Sequence, residues 1–211
     1  MSEIAVIGGG SFGTVIANII AENGHRVRFW MRSESLAKKV NAQHENPEYL
    51  PGYPLGARVV ATHNMAQAVS GSSVIFVAVP STSFRSVVRR IMEHAVPGVM
   101  LVSTTKGIEA DSFMLMSEVL KAEAPEAKIG VLSGPNLAKE IAASQLTGTV
   151  IASSQESVRS GIQELLKSET LRVYTNDDVF GIELGGSLKN IYAIIAGIAS
   201  ALGMGLSLIH I

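Results

Sequence analysis

Residues 4–13 read Ile-Ala-Val-Ile-Gly-Gly-Gly-Ser-Phe-Gly, and this stretch decides the fold. Its first four residues form an apolar run, which predicts a buried strand. Gly8, Gly10 and Gly13 follow at G-x-G-x-x-G spacing, and residues 14–22 continue with helical periodicity. A strand, a glycine loop and a helix in this order are the context that a dinucleotide-binding site requires.

A physical requirement explains why each of these three positions is a glycine. Gly8 allows the tight turn, Gly10 lets a pyrophosphate approach the backbone, and Gly13 lets the helix pack closely on the strand. The helix N-terminus then offers free N–H groups and a partial positive charge to the phosphates. The alternative is a tight turn that binds nothing, but the position of the motif directly after a strand favours the nucleotide site.

The bulk composition limits the class of protein. Of 211 residues, 47% are hydrophobic, and 17 basic residues balance 18 acidic ones, which argues against a nucleic acid held by a basic surface. There is no cysteine, and no leader pattern precedes the first strand, so we expect a cytoplasmic protein. We expect no metal site, because the histidines show no metal-binding spacing: His25, His44, His63, His94 and His210.

Apolar strands and helical segments alternate along most of the chain. This alternation predicts an α/β fold, a Rossmann-type doubly wound parallel sheet with helices on both faces. Strands are expected at residues 4–7, 27–31, 59–61, 74–79, 100–103, 129–132, 149–152 and 171–174. Helices are expected at 14–22, 33–40, 65–69, 84–94, 112–122, 137–143, 158–166 and from 179 onward, and a loop at 46–56.

The alternation stops near residues 176–178, where an aspartate can cap a long helix. We therefore expect a dinucleotide-binding domain at 1–178 and the first helix of an all-helical C-terminal domain at 179–205. Residues 191–209 carry no charge and are long enough to span a membrane. The glycines and serines among them favour a buried helix of a soluble protein with no membrane span.

The end of the second strand indicates the cofactor. An NAD site carries an acidic residue there for the ribose hydroxyls, but this chain reads Phe-Trp-Met-Arg at residues 29–32. The guanidinium of Arg32 can pair with a 2′-phosphate in bidentate fashion, which favours NADP(H). NAD(H) remains the alternative, because Glu34 could bind a ribose and Arg32 could be a solvated loop residue.

Four further segments are distinctive: FVAVPS at 76–81, STTKGIE at 103–109, LSGPNLAKE at 132–140 and VFGIELGGSLKN at 179–190. Together with residues 8–14, they resemble the bacterial NAD(P)-dependent sn-glycerol-3-phosphate dehydrogenases, in order and at natural spacing. The resemblance implies reversible hydride transfer between a nicotinamide and dihydroxyacetone phosphate, giving sn-glycerol 3-phosphate for phospholipid synthesis. Related two-domain dehydrogenases act on other small hydroxy acids, so a different small-molecule substrate is an alternative.

The resemblance also implies roles for individual residues. Lys189 matches the general acid/base, and Lys106 matches a lysine between cofactor and substrate. Cofactor contacts are implied at Gly8, Gly10, Ser11, Phe12, Gly13, Arg32, Tyr49, Lys106 and Ala138. Substrate contacts are implied at Lys106, Gly134, Asn136 and Lys189, and the neighbouring Asn190 is a further candidate. A homodimer is expected for a full-length protein.

The chemistry of ketone reduction supports roles for the two lysines independently of the resemblance. Ketone reduction needs a proton donor at the oxygen, and a buried lysine beside a second cation has its pKa lowered towards neutrality. Lys106 and Lys189 could form such a pair, although a snorkelling surface lysine is the alternative for each. Glu183 lies six residues before Lys189 and could be either a functional or a capping carboxylate.

The resemblance ends near Gly205. The family continues with a larger helical domain, whereas residues 206–211 do not resemble it, and we interpret them as a non-family tail after an N-terminal fragment. The alternative function is therefore a truncated, catalytically inactive NADP-binding module whose last helix lacks its cover.

Overall fold

The computed structural model describes residues 3–204 and contains an eight-stranded sheet with helices on both faces. The strands are β1 (Glu3–Ile7), β2 (Arg26–Trp30), β3 (Glu45–Asn46), β4 (Leu50–Pro54), β5 (Val59–Thr62), β6 (Val74–Val77), β7 (Met100–Ser103), β8 (Lys128–Ser133), β9 (Thr147–Ala152) and β10 (Leu171–Asn176). The helices are α1 (Ser11–Glu22), α2 (Glu34–Gln43), α3 (Met65–Val69), α4 (Ser81–Met92), α5 (Met116–Glu123), α6 (Ala138–Ala142), α7 (Glu156–Leu166) and α8 (Val179–Ala201).

The strand order of the large sheet is β10-β9-β8-β7-β6-β1-β2-β5. The chain moves outward from β1 to β5 and then returns to place β6 on the other side of β1. This reversal creates a crevice at the carboxyl ends of β1 and β6, which is where doubly wound sheets bind ligands. The expected Rossmann-type architecture is confirmed.

Both faces of β1 are buried, because successive residues of a strand point to opposite faces. Ile4 and Val6 belong to a core shared with α1, α2 and α7, whereas Ala5 and Ile7 belong to a core shared with α3, α4 and α5. A strand buried on both sides is apolar throughout, which explains the unbroken run that opens the sequence.

The structure departs from the sequence expectations in the direction of two strands, in a hairpin and at the start of α5. The sheet is only mostly parallel, since β9 pairs antiparallel with β8 and β10 follows the direction of β9. The expected loop at 46–56 contains most of a small antiparallel hairpin, β3–β4. Its register shifts between Glu45 and Asn46, and Gly52, within β4 opposite that shift, has a φ of 84°. Helix α5 begins four residues late, because Phe113 has a φ of 58° and cannot continue a helix.

Helix α8 begins where the sequence predicts, with the side chain of Asp178 accepting a hydrogen bond from the Gly181 N–H at 2.8 Å. Its first half packs against β8 and β9. The prediction that residues 191–209 are buried is wrong for 191–204, where large apolar side chains such as Tyr192 (68% exposed) face solvent. Ala199 is the only buried residue among residues 191–204, and residues 205–211, including the proposed tail, lie outside the described part.

Within residues 3–204, no single helix has both the length and the hydropathy to cross a bilayer. The two halves of α8, Val179–Lys189 and Ile191–Ala201, meet at a 41° bend and satisfy the criteria of length and composition only together.

Candidate functional site

A cavity of about 340 Å³ opens at the carboxyl edge of the sheet, between the glycine loop and the segments after β6, β7 and β8. These segments meet because the carboxyl ends of parallel strands lie at the same edge. The cavity is lined by Ser11, Phe12, Ala78, Val79, Pro80, Thr104, Thr105, Lys106, Leu132, Ser133, Gly134, Asn136, Leu137 and Ala138.

The glycine loop has the geometry that phosphate binding requires. Gly8 has a φ of 129°, and a Cβ there would collide with the carbonyl of Ala78, so only glycine fits. Gly13 lies against the carbonyl of Gly8, which brings α1 close to β1. A Cβ at Gly10 would instead meet nothing within 4 Å, and Gly10 caps α1 without a side-chain hydrogen bond. The loop therefore leaves both space and unpaired helix N–H groups for an anion, so these residues fit a dinucleotide pyrophosphate.

Lys106 follows β7 and reaches across the cavity edge. Its Nζ donates a hydrogen bond to the Gly134 carbonyl at 3.0 Å. Partial burial of the ammonium and the nearby positive Lys189 together lower the pKa of Lys106 to about 8. Part of the side chain remains solvent-exposed, so the desolvation concerns the ammonium end. The structure thus brings Lys106 and Lys189 together, although they are far apart in the sequence.

Gly134 and Asn136 follow β8 on the opposite side of the cavity. Asn136 is buried, and its Nδ2 donates to the Gly148 carbonyl on β9 at 2.7 Å. A Cβ at Gly134 would lie 2.7 Å from the Asn136 Oδ1, so a larger residue would displace that amide. Ala138 starts α6 and lines the same cavity.

Helix α8 is fixed to the sheet edge by contacts that sequence reasoning missed. The Ser187 hydroxyl accepts from the Gly107 N–H at 3.1 Å and donates to the Glu183 carbonyl at 3.0 Å. Gly186 packs directly on the Ser133 hydroxyl. These contacts set the register that carries Lys189, and the small residues at 185–187 are the only sequence signal for them.

Glu183 is a buried structural carboxylate, one of the two alternatives that the sequence left open. It accepts a hydrogen bond from the backbone N–H of Ser117, in the first turn of α5, at 3.0 Å. Burial raises the pKa of Glu183, and this hydrogen bond opposes that effect. The contact joins α8 to the cofactor domain.

An ion-pair cluster holds the loop that follows Lys106. Arg85 on α4 donates to both carboxylate oxygens of Glu109, from Nε at 2.8 Å and from Nη2 at 2.6 Å. Arg85 also pairs with Glu123 on α5. Arg85, together with the Ser112 hydroxyl, lowers the pKa of Glu109 to about 2. Arg85 thereby ties this loop, through Glu109, to α4 and α5.

Lys189, Arg32 and Tyr49 are not among the residues that line the cavity. Arg32 is exposed just beyond β2, and Tyr49 is 47% exposed, with its carbonyl accepting from the Ser11 hydroxyl at 2.6 Å. The side chain of Asn190 lies outside the described part of the structure. Within residues 3–204, no cluster of three or more His, Cys, Asp or Glu side chains could hold a metal ion.

Comparisons with known proteins agree on one family. Residues 3–159 match the family model described as NAD-dependent glycerol-3-phosphate dehydrogenase N-terminus, and residues 178–208 match the corresponding C-terminus model. The chain is 54% identical over 203 residues to the NAD(P)+ glycerol-3-phosphate dehydrogenase of Teredinibacter turnerae, covering 96% of this chain and 60% of that protein. It is also 54% identical to the protein of the same name from Pseudomonas entomophila, covering 96% of this chain and 59% of that protein.

A solved structure shows the same arrangement of elements. The glycerol-3-phosphate dehydrogenase of Coxiella burnetii superposes with a TM-score of 0.90 at 34% identity, covering 99% of this chain and 64% of that chain. The chain described here thus spans about 60% of the length of the curated relatives it matches.

Proposed function

Because the chain belongs to the NAD-dependent glycerol-3-phosphate dehydrogenase family, we propose that it carries the cofactor site and the catalytic lysines of such an enzyme. The reaction is reversible hydride transfer between NAD(P)H and dihydroxyacetone phosphate, which gives sn-glycerol 3-phosphate for phospholipid synthesis. The observation that carries this proposal is the pair Lys106 and Lys189 beside a glycine loop shaped for a pyrophosphate.

The two lysines have different roles in ketone reduction. When bound, the reduced nicotinamide supplies the hydride. Lys189 donates the proton to the ketone oxygen, and its position on α8 is set by the contacts of Ser187 and Gly186. Lys106 lies at the junction of cofactor and substrate, where its Nζ donates to the Gly134 carbonyl, while Lys189 acts as the general acid. Catalysis of this kind typically contributes about 10²–10⁴-fold in rate.

The other side of the cavity binds the substrate. Gly134 and Asn136 contact it there, and Asn190 is proposed to contact a substrate hydroxyl. Gly134 serves this role because its missing side chain leaves the Asn136 amide in place. The buried Asn136 already donates to Gly148, which holds the amide in one orientation.

NADP(H) is the favoured cofactor and NAD(H) the second choice. Arg32 lies exposed at the end of β2, where a guanidinium can reach a 2′-phosphate. Glu34, the carboxylate that could bind a ribose, pairs with Lys38 at 2.8 Å. A surface pair of this kind is weak, so it biases the choice and does not exclude NAD(H). Both relatives named above are NAD(P)+ enzymes.

Turnover by a completed chain tests the proposal. The chain is joined after Gly205 to the C-terminal region of the Teredinibacter turnerae relative, and NADPH oxidation is followed with dihydroxyacetone phosphate. Lys189→Ala should lower kcat by at least about 10²-fold with little change in NADPH affinity. Lys167→Ala is the matched control, because that lysine pairs with Glu164 on the surface. Parental turnover by Lys189→Ala would reject the acid/base assignment, and cofactor binding without any turnover would favour the inactive-module alternative.

Two finer expectations also stand as proposals. The full-length protein is proposed to form a homodimer, which sedimentation measurements on the completed chain would detect. A cytoplasmic location is proposed as well, and cell fractionation with an antibody against the chain would test it.

A further inference from the structure

A buried asparagine outside the sequence-predicted site binds the glycine loop. Asn46 is fully buried at the end of β3, in the hairpin between α2 and β5. Its Nδ2 donates to the Gly9 carbonyl at 2.9 Å and to the Thr14 hydroxyl at 2.7 Å. Its Oδ1 accepts from the Tyr49 N–H at 3.3 Å. Both amide hydrogens of this side chain therefore form hydrogen bonds, one to the glycine loop and one to the first turn of α1.

Thr14 extends this contact to the next carbonyl of the loop. Its side chain, also fully buried, donates from Oγ1 to the Gly10 carbonyl at 2.8 Å, and its backbone N–H donates to the same oxygen at 2.9 Å. The carbonyls of Gly9 and Gly10 are thus held, directly or through Thr14, by Asn46.

Fixing these carbonyls also fixes the N–H groups that follow them. In a planar trans peptide the C=O and N–H point in opposite directions. When the Gly9 and Gly10 carbonyls face Asn46 and Thr14, the N–H groups of Gly10 and Ser11 face away from them. Those N–H groups, with the first turn of α1, are the donors available to a phosphate.

A second contact joins the hairpin to the loop. The Ser11 hydroxyl donates to the Tyr49 carbonyl at 2.6 Å, three residues beyond Asn46. The hairpin therefore holds the glycine loop on both sides of Gly10, the position where a Cβ would find open space.

We propose that Asn46 is a positioning residue for the cofactor's pyrophosphate, acting through the Gly9 and Gly10 carbonyls to orient the N–H donors of the loop. The inference rests on the proposed function, since it concerns the dinucleotide of that site. Asn46 touches no cofactor atom itself. It should therefore strengthen the binding of every ligand that binds through a pyrophosphate.

The test compares three ligands on matched variants. NADPH and NADH carry the pyrophosphate, whereas 2′-AMP carries the adenosine and 2′-phosphate without it. Asn46→Leu replaces the amide with an apolar side chain of similar size. Asn41→Leu is the control, because Asn41 also makes two backbone hydrogen bonds, both to Ala61 and neither to the glycine loop. Calorimetric titration gives the affinities, and thermal unfolding confirms that each variant folds.

Asn46→Leu should weaken NADPH and NADH alike by at least about tenfold, the usual scale for a misoriented set of hydrogen bonds. Asn46→Leu should change the affinity for 2′-AMP by no more than about twofold. Asn41→Leu should change the affinity for each of the three ligands by no more than about twofold. Thr14→Val removes the hydroxyl that links Asn46 to the Gly10 carbonyl and should reproduce the selective loss, whereas Thr14→Ser should retain parental binding.

An equal loss of 2′-AMP and NADPH affinity in the folded Asn46→Leu and Thr14→Val variants would reduce Asn46 to a stabilising residue and overturn the inference. Unchanged NADPH affinity in these variants would overturn it as well. If Asn46→Leu does not fold, the Thr14→Val and Thr14→Ser pair decides. A parent chain that binds neither NADPH nor NADH would instead reject the proposed function, which distinguishes the two failures.

Discussion

Removing the charge of Lys189 should raise the pKa of Lys106. That pKa is lowered from the ordinary lysine value of 10.5 to about 8, first by burial and then by Lys189. With a pKa of about 8, roughly a quarter of Lys106 side chains are neutral at about pH 7.5. Lys189→Met keeps the burial but removes the like charge, so the pKa of Lys106 should rise above about 8 and the neutral fraction of Lys106 at about pH 7.5 should fall below roughly a quarter.

The assay is the reactivity of Lys106 towards an amine-specific reagent, read by peptide mass spectrometry over a range of pH. Only the neutral amine reacts, so the midpoint of the profile reports the pKa. The midpoint should rise in Lys189→Met without reaching 10.5, because burial is the larger cause and remains. Lys167→Met serves as the control and should leave the profile unchanged. An unchanged midpoint in Lys189→Met, or a parental midpoint near that of free lysine, would refute the pairing of the two lysines.

Three further predictions follow from single side chains. Arg32→Ala should weaken NADPH binding by about 1–3 kcal/mol while sparing NADH, and fluorescence titration with equal losses for both would exclude a 2′-phosphate role. Glu183→Ala should lower the free energy of unfolding in urea by about 1–3 kcal/mol, because the buried Ser117 N–H loses its acceptor; Glu183→Gln keeps an acceptor and should unfold near the parental midpoint. The lowered pKa of Glu109, about 2, means that its pairing with Arg85 contributes stability above the ordinary carboxyl value of 4.5, which is lost as the pH falls through about 2. Arg85→Met should remove that contribution, so an acid-unfolding profile identical to the parent's would contradict it.

The cavity could be predicted from the sequence because its parts are local. Gly8 directly follows β1 and Gly13 lies in the first turn of α1. Lys106 and Gly134 lie within three residues of the ends of β7 and β8. Once the strands are parallel, their carboxyl ends meet, so no knowledge of distant contacts is needed to bring these residues together.

The supporting contacts could not be predicted, because they join residues that are distant in the sequence. Asn46 lies in a stretch rich in proline and glycine, without periodicity, and its partners on the loop are 37 and 32 residues away. Ser187 meets Gly107 across 80 residues. The reversal of β9 was equally hidden, because nothing in its short sequence distinguishes a parallel from an antiparallel strand.

Gly10→Val tests the central claim, that the space above the glycine loop holds the cofactor's pyrophosphate. Gly10 has a φ of −74° that any residue adopts, and a Cβ there meets nothing within 4 Å, so the free protein should fold with the parental melting temperature. The valine side chain would fill the space of the ligand and should weaken NADPH binding by about 1–3 kcal/mol, or roughly 5- to 150-fold. Gly197→Val, equally free of neighbours but on the exposed half of α8, is the control and should bind like the parent. Calorimetric titration that gives Gly10→Val the parental NADPH affinity would contradict the account.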